Sequence, residues 1–171
     1  GLAVYVDEAR SVAEILRAVD SLREITSGRI LLAVSSIGGE SPAERMEIGR
    51  AAMSVADYCV ITANNPGREA AAQIAAQIER GMNHAGRHSY HIKLSREQAI
   101  CDLIEMAEPG DAVLITGKGH ETHQEFADTI VPFDDREHAL AALEMRGNPA
   151  RPIVLAREIA TVLPRMEEAI A

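Results

Sequence analysis

Short apolar runs rich in Val, Ile and Leu recur along the chain, at Leu2 to Val6, Ile30 to Val34, Tyr58 to Thr62, Tyr90 to Lys93, Ala112 to Thr116 and Thr129 to Val131. Each reads as a buried strand, and helix-period stretches lie between them. Ser11 and Glu14 have the spacing of a capping box, and Val12, Ile15, Leu16, Val19 and Leu22 then fall on one helical face. Further helices are expected over Ala43 to Val55, over Arg68 to Arg80 with Gly81 ending it, and from Ser95, where Gln98 completes a second box. Strands that alternate with helices are buried on both faces. The pattern therefore predicts an α/β class, a Rossmann-like open, mainly parallel six-stranded sheet with helices on both faces.

Periodicity breaks at Met145 to Ile153, where Gly147, Pro149 and Pro152 fall close together. Residues 1–146 are read as one domain and 147–171 as a linker and helical tail, with Pro164 interrupting a helix over Arg157 to Ile170. A chain of 171 residues is long enough for one such domain.

Charge narrows the partners. Seventeen Lys and Arg against 26 Asp and Glu leave a net charge of −9, which opposes broad attraction to nucleic acid or to anionic lipid. An anionic ligand would need a local group of donors. No apolar run approaches the roughly 20 residues that cross a bilayer. Cys59 sits in an apolar strand-like run and Cys101 in an amphipathic helix-like run, where a thiol behaves as a small hydrophobe, so a reduced cytoplasm is expected rather than a disulfide or thiolate metal site.

In this fold class ligands bind outside the carboxyl ends of the strands, which directs attention to three loops. After the third strand, Thr62 to Glu69 carries paired amides around Pro66 and Gly67, enough to grip a zwitterion and equally an ordinary Asx turn. After the fifth, Gly117-Lys118-Gly119-His120-Glu121 combines accessible backbone amides with a carboxylate able to pair an ammonium. A plain turn into a surface helix is the simpler alternative. It is not a phosphate loop, because Ala112 stands where the first glycine belongs, and His120 and His123 lack zinc-protease spacing; no metal site is expected. After the second, Gly38 and Gly39 precede Arg45, a candidate for binding a carboxylate or phosphate or a plain solvated residue. Asp134 and Asp135 suit a helix start, and as neighbours there they point in different directions.

Taken in order, Thr62-Ala63-Asn64-Asn65-Pro66-Gly67-Arg68-Glu69, then Gly117-Lys118-Gly119-His120-Glu121 followed by Gln124, then Phe133-Asp134-Asp135-Arg136-Glu137 resembles the C-terminal domain of the Mur ligase family. The likeness covers nearly all of residues 3–145 and is to the branch that extends UDP-N-acetylmuramoyl-L-alanyl-D-glutamate by a diamino acid. It implies an ATP- and magnesium-dependent, amide-forming ligase of peptidoglycan synthesis, in which this domain holds diaminopimelate, lysine or a similar amino acid. The nucleotide and the UDP-muramoyl dipeptide would be bound mainly by domains outside this sequence, so the chain alone is expected to be inactive.

Carried onto this chain, the resemblance makes Asn65, Gly117 and Glu121 contacts of the amino acid's charged head, and Arg45 a carboxylate clamp. The family's Asp-Asn-Pro-Arg stands here as Asn64-Asn65-Pro66-Gly67, with Arg68 displaced by one position. Asp7 and Arg10 fall in a stretch close to the nucleotide, but the family's Asp-Tyr-Ala-His-Thr-Pro has become Asp7-Glu8-Ala9-Arg10-Ser11-Val12. No catalytic residue is assigned. The alternative is a divergent, non-catalytic small-molecule-binding or regulatory module derived from that domain.

Overall fold

The structure is a computed structural model that describes residues 2–86 and 88–147 and the backbone of 154–155. Among the described residues, eight strands and five helices follow in the order β1 (Ala3–Val6), α1 (Val12–Ile25), β2 (Ile30–Val34), α2 (Pro42–Val55), β3 (Tyr58–Ile61), α3 (Ala71–His84), β4 (Tyr90–Ile92), α4 (Arg96–Met106), β5 (Ala112–Ile115), β6 (His123–Phe126), β7 (Thr129–Pro132), α5 (Asp135–Met145) and β8 (Val154–Leu155). The main sheet runs β4-β3-β2-β5-β1-β8, with every pair parallel.

Five of the predicted strands form this sheet. The sixth run, Thr129 to Val131, instead pairs antiparallel with β6 in a separate hairpin, and β8 takes the sixth place beside β1. β6 reads His-Gln-Glu-Phe and has no apolar run to betray it. The expected helix at Arg157 to Ile170, and most of the expected linker, lie outside the described residues.

Alternation along the strands divides the core. Ile30, Leu32 and Val34 pack with α1, α2 and α3 on one face, while Leu31 and Ala33 pack with α4 and α5 on the other. Both expected N-caps of α1 and α4 are present. Ser11 and Glu14 close a reciprocal box, whereas Ser95 accepts from the Gln98 N–H at 3.4 Å.

Gly81 does not end a helix. It lies within α3, where a Cβ would stand 1.9 Å from the Met46 carbonyl oxygen, and a Cβ on Gly49 of α2 would stand 2.0 Å from that of Ile78. These glycines let two helices touch backbone to backbone. Tertiary packing has overridden the local stop signal.

A buried ion pair ties the second face to the sheet. Arg96 and Asp135, both fully buried first residues of α4 and α5, make two hydrogen bonds of 2.7 Å, and Arg96 donates a third, of 2.8 Å, to the Thr116 carbonyl at the end of β5. Asp134 turns the other way, onto Arg136. The adjacent carboxylates therefore do separate work.

Removing one partner of such a pair strands a buried charge, a loss of about 3–5 kcal/mol. Asp135→Ala is expected to lower the urea midpoint accordingly, and adding Arg96→Met should restore part of it; an unchanged midpoint in the single variant would show the pair to be dispensable. Gly81→Ala overpacks the α2–α3 contact and is expected to cost about 1–3 kcal/mol in the same measurement, unlike an exposed helix position, where alanine stabilises.

Candidate functional site

Because β5 lies between β2 and β1, the loops after β1, β2, β3 and β5 meet at one rim of the sheet. Their close approach needs glycine. Gly117 has φ +108°, and a Cβ there would fall 2.7 Å from Asn64 Nδ2 and 2.8 Å from Ser35 Oγ. Its N–H donates to the Asp7 carbonyl at 2.9 Å, which joins the β5 loop to the end of β1.

Asn65 sits at the centre with φ +43°, a left-handed conformation that asparagine tolerates better than most residues. Its Nδ2 donates to Glu121 Oε2 at 3.0 Å. Its Oδ1 accepts from Lys118 Nζ at 2.8 Å and from the Glu125 N–H at 3.1 Å. Beneath it the Asn64 amide is buried, and neither of its polar atoms has a hydrogen-bond partner in the structure.

Glu121 is also held by Arg10. The guanidinium bonds Glu121 Oε1 through Nη2 and the Gly117 carbonyl through Nε, the latter at 2.7 Å. Burial pushes the Glu121 carboxyl up, but the Arg10 hydrogen bond and the charges of Arg10 and Lys118 outweigh it and leave the group below its ordinary value. Arg10 therefore faces Glu121 and the Gly117 loop, drawn there by the carboxylate. Asp7 stays at the end of β1, where its side chain accepts the Ala9 N–H at 2.7 Å.

The structure thus brings together Asn65, Gly117, Glu121 and Arg10. It places Arg45 and Arg68 differently. Arg45 is 1% exposed. All five of its N–H donors are committed: Nε to Ser36 Oγ, Nη1 to Glu69 and Gln77, and Nη2 to Glu69 and the Ile37 carbonyl, at 2.8–3.1 Å. It holds Glu69, whose carboxyl also accepts the Gly39 N–H at 2.6 Å and falls to about 2 because of the Arg45 hydrogen bond first and the Gly39 one second. Arg68 is 83% exposed and pairs with Asp128 in the β6–β7 turn.

The Gly117 loop leads into β6 rather than a surface helix, and the β6–β7 hairpin clasps the Asn65 loop. The Ala127 N–H donates to the Gly67 carbonyl at 2.6 Å beside a bridge between Gly67 and Phe126. Two clefts flank Arg10. One of about 480 Å³ is lined by Gly38, Gly39, Asn65, Gly67, Arg68 and Glu125, among others. The other, about 630 Å³, carries Glu8, Glu14, Glu40, Glu44, Glu47 and Glu121 against Arg10, Lys118 and His120.

Sequence reasoning passed over Lys118 and Glu69 as site residues. Lys118 is fully buried, and its amine also bonds the His123 carbonyl at 2.7 Å. A lysine between two left-handed glycines was the available signal. Glu69 offered none, since its partner lies 24 residues away. Among the described residues, no group of three or more His, Cys, Asp or Glu could hold a metal ion, and no helix is long and apolar enough to cross a membrane.

Residues 1–119 match the family model described as "Mur ligase, glutamate ligase domain". Two relatives carry the name UDP-N-acetylmuramoyl-L-alanyl-D-glutamate--2,6-diaminopimelate ligase. That of Caldanaerobacter subterraneus subsp. tengcongensis is 34% identical over 78% of this chain and 28% of its own length; that of Geobacillus thermodenitrificans is 36% identical over 84% and 29%. A solved structure of a protein with that name superposes with a TM-score of 0.79 at 28% identity, over 85% of this chain and 30% of the other. The chain spans less than a third of the length of these relatives. By the family match and the shared fold, the chain belongs to the Mur ligase family, within which it corresponds to the glutamate ligase domain.

Proposed function

We propose that this domain holds the incoming diamino acid for an ATP-dependent peptide ligase of peptidoglycan synthesis, and that it does so at the rim around Asn65. The observation that carries the reading is that one cation, Arg10, bridges the Gly117 carbonyl and Glu121, while Asn65 holds the other carboxylate oxygen of Glu121. The relatives named as diaminopimelate ligases make a diamino acid the first candidate. A zwitterionic head needs acceptors for its ammonium and donors for its carboxylate, facing each other. Glu121 and the Gly117 carbonyl are the acceptors, and Asn65 orients Glu121. Arg68, beside the 480 Å³ cleft, is the donor reachable by the ligand's carboxylate. Arg45 acts through Glu69, keeping the Gly38–Gly39 loop against the site. Its contribution is placement, which raises rate by holding the nucleophile in register.

The residues near Asp7 do not suit a nucleotide's phosphates. Six glutamates line the adjoining cleft, against Arg10, Lys118 and His120, and Arg10 is committed to Glu121. The nucleotide's phosphates are then held mainly by parts of the ligase other than this chain, and residues 1–146 act as its amino-acid domain. The same observation favours a second reading, a binding module that has left ligation behind. The two separate on ATP-dependent amide formation by the complete polypeptide that contains this domain.

NMR titration with meso-diaminopimelate, L-lysine and L-ornithine at millimolar concentration is expected to shift the backbone amides of residues 64–67 and 117–121, with the shifts abolished by Glu121→Gln. Absence of shifts both in the parent chain and in a variant lacking the Arg10 side chain would overturn the amino-acid reading.

Lys118 gives the site a pH signature. Burial first, and the Arg96 charge second, lower its amine from 10.5 to about 8. Between these values the unfolded chain binds more protons than the folded one, so stability rises with pH. The penalty is complete below pH 8 and is relieved as pH climbs towards 10.5. Urea unfolding from pH 7 to 9.5 is expected to show this rise, and Lys118→Met to flatten it; parallel profiles would refute the assignment.

A further inference from the structure

Every acceptor that an incoming ammonium would use is already engaged by a cation of the chain itself. Arg10 takes Glu121 and the Gly117 carbonyl, and Lys118 takes the Asn65 side-chain carbonyl. A ligand ammonium must place three N–H donors and, in this conformation, would stand as a third cation beside Glu121, repelled by Arg10 and Lys118. One of those two has to leave.

The two cations differ in access. Lys118 is fully buried and is bound at the His123 carbonyl as well. Arg10 has a side chain 36% exposed and borders both clefts. Its backbone is anchored, because its N–H donates to Glu14 Oε2 at 3.0 Å beside the capping box of α1. Departure therefore requires only rotation of the side chain. The larger cleft offers the guanidinium a second place, since Glu8, Glu14, Glu40, Glu44 and Glu47 line it.

We infer that Arg10 is the specificity-determining residue of this site, a displaceable internal cation for which the ligand's ammonium must exchange on Glu121 and the Gly117 carbonyl. The inference rests on the amino-acid reading above. The arriving ammonium replaces the guanidinium on the same acceptors, so charge at Glu121 stays balanced throughout. Apparent affinity is reduced by the fraction of time that Arg10 spends on Glu121. Ligands without a free ammonium have nothing to exchange and do not sense the residue.

The test is calorimetric titration of the full 171-residue chain and of Arg10→Ala with meso-diaminopimelate and L-lysine, with Nα,Nε-diacetyl-L-lysine as the probe lacking an ammonium. Arg10→Ala is expected to bind the amino acids at least about tenfold more tightly than the parent, a gain that Arg10→Ala with Glu121→Gln loses. The diacetylated probe should not distinguish parent from Arg10→Ala. In the parent, the Arg10 Nε–H resonance should move on saturation, reporting release from the Gly117 carbonyl independently of any substitution. Equal or weaker binding by Arg10→Ala, or an Arg10 resonance unmoved in a liganded parent, overturns the exchange and leaves the amino-acid reading standing. Absence of binding by both proteins overturns that reading and the exchange with it.

Discussion

The arrangement of the rim depends on a charge that never meets solvent. Arg96 and Asp135 start the two helices of one face, and their pairing sets where both helices begin relative to the end of β5. Arg96 reaches further, towards Ser35 Oγ at 3.4 Å and the Ala63 carbonyl at 3.5 Å, so one guanidinium lies beneath the ends of β2, β3 and β5. A buried pair contributes little net stability against a well-packed apolar substitute, because desolvation offsets most of the attraction. What it contributes here is position. The loops that carry Asn65 and Gly117 leave the sheet from points that Arg96 holds together.

The same charge acts on the site electrostatically. Lys118 is depressed by burial and then by Arg96, while Glu121 and Asp135 pull it the other way. The rim thus carries a chain of charges in which two like cations, Arg96 and Lys118, stand between the carboxylates of Asp135 and Glu121. The carboxylates offset the repulsion between the cations.

Legibility from the sequence followed the range of the interaction. The strands β1 to β5 and the Ser11–Glu14 box are local patterns, and they could be read directly. The meeting of Asn65, Gly117 and Glu121 could be anticipated, because strand ends in a parallel sheet share a rim. Gly81 was misread because a glycine chosen for helix contact looks, one residue at a time, like a glycine chosen to stop a helix. The burial of Arg45 and of Arg96 was opaque for a related reason. A buried arginine is recognisable only with its carboxylate in view, and Glu69 and Asp135 lie 24 and 39 residues away. The β6–β7 hairpin escaped because a polar strand half-exposed on a small ribbon lacks the apolar run that marks a buried one.

The place of β5 bears on how the chain is made as well as on how it is shaped. In the sheet it separates β1 from β2, yet it follows both by dozens of residues in the chain. While the polypeptide leaves the ribosome, β1 has no neighbour and β2 has only β3 until Ala112–Ile115 emerges. Pairings of such long sequence separation close late and slowly. The nascent domain therefore carries two open edges through most of its synthesis, which is the period in which a chaperone has something to hold.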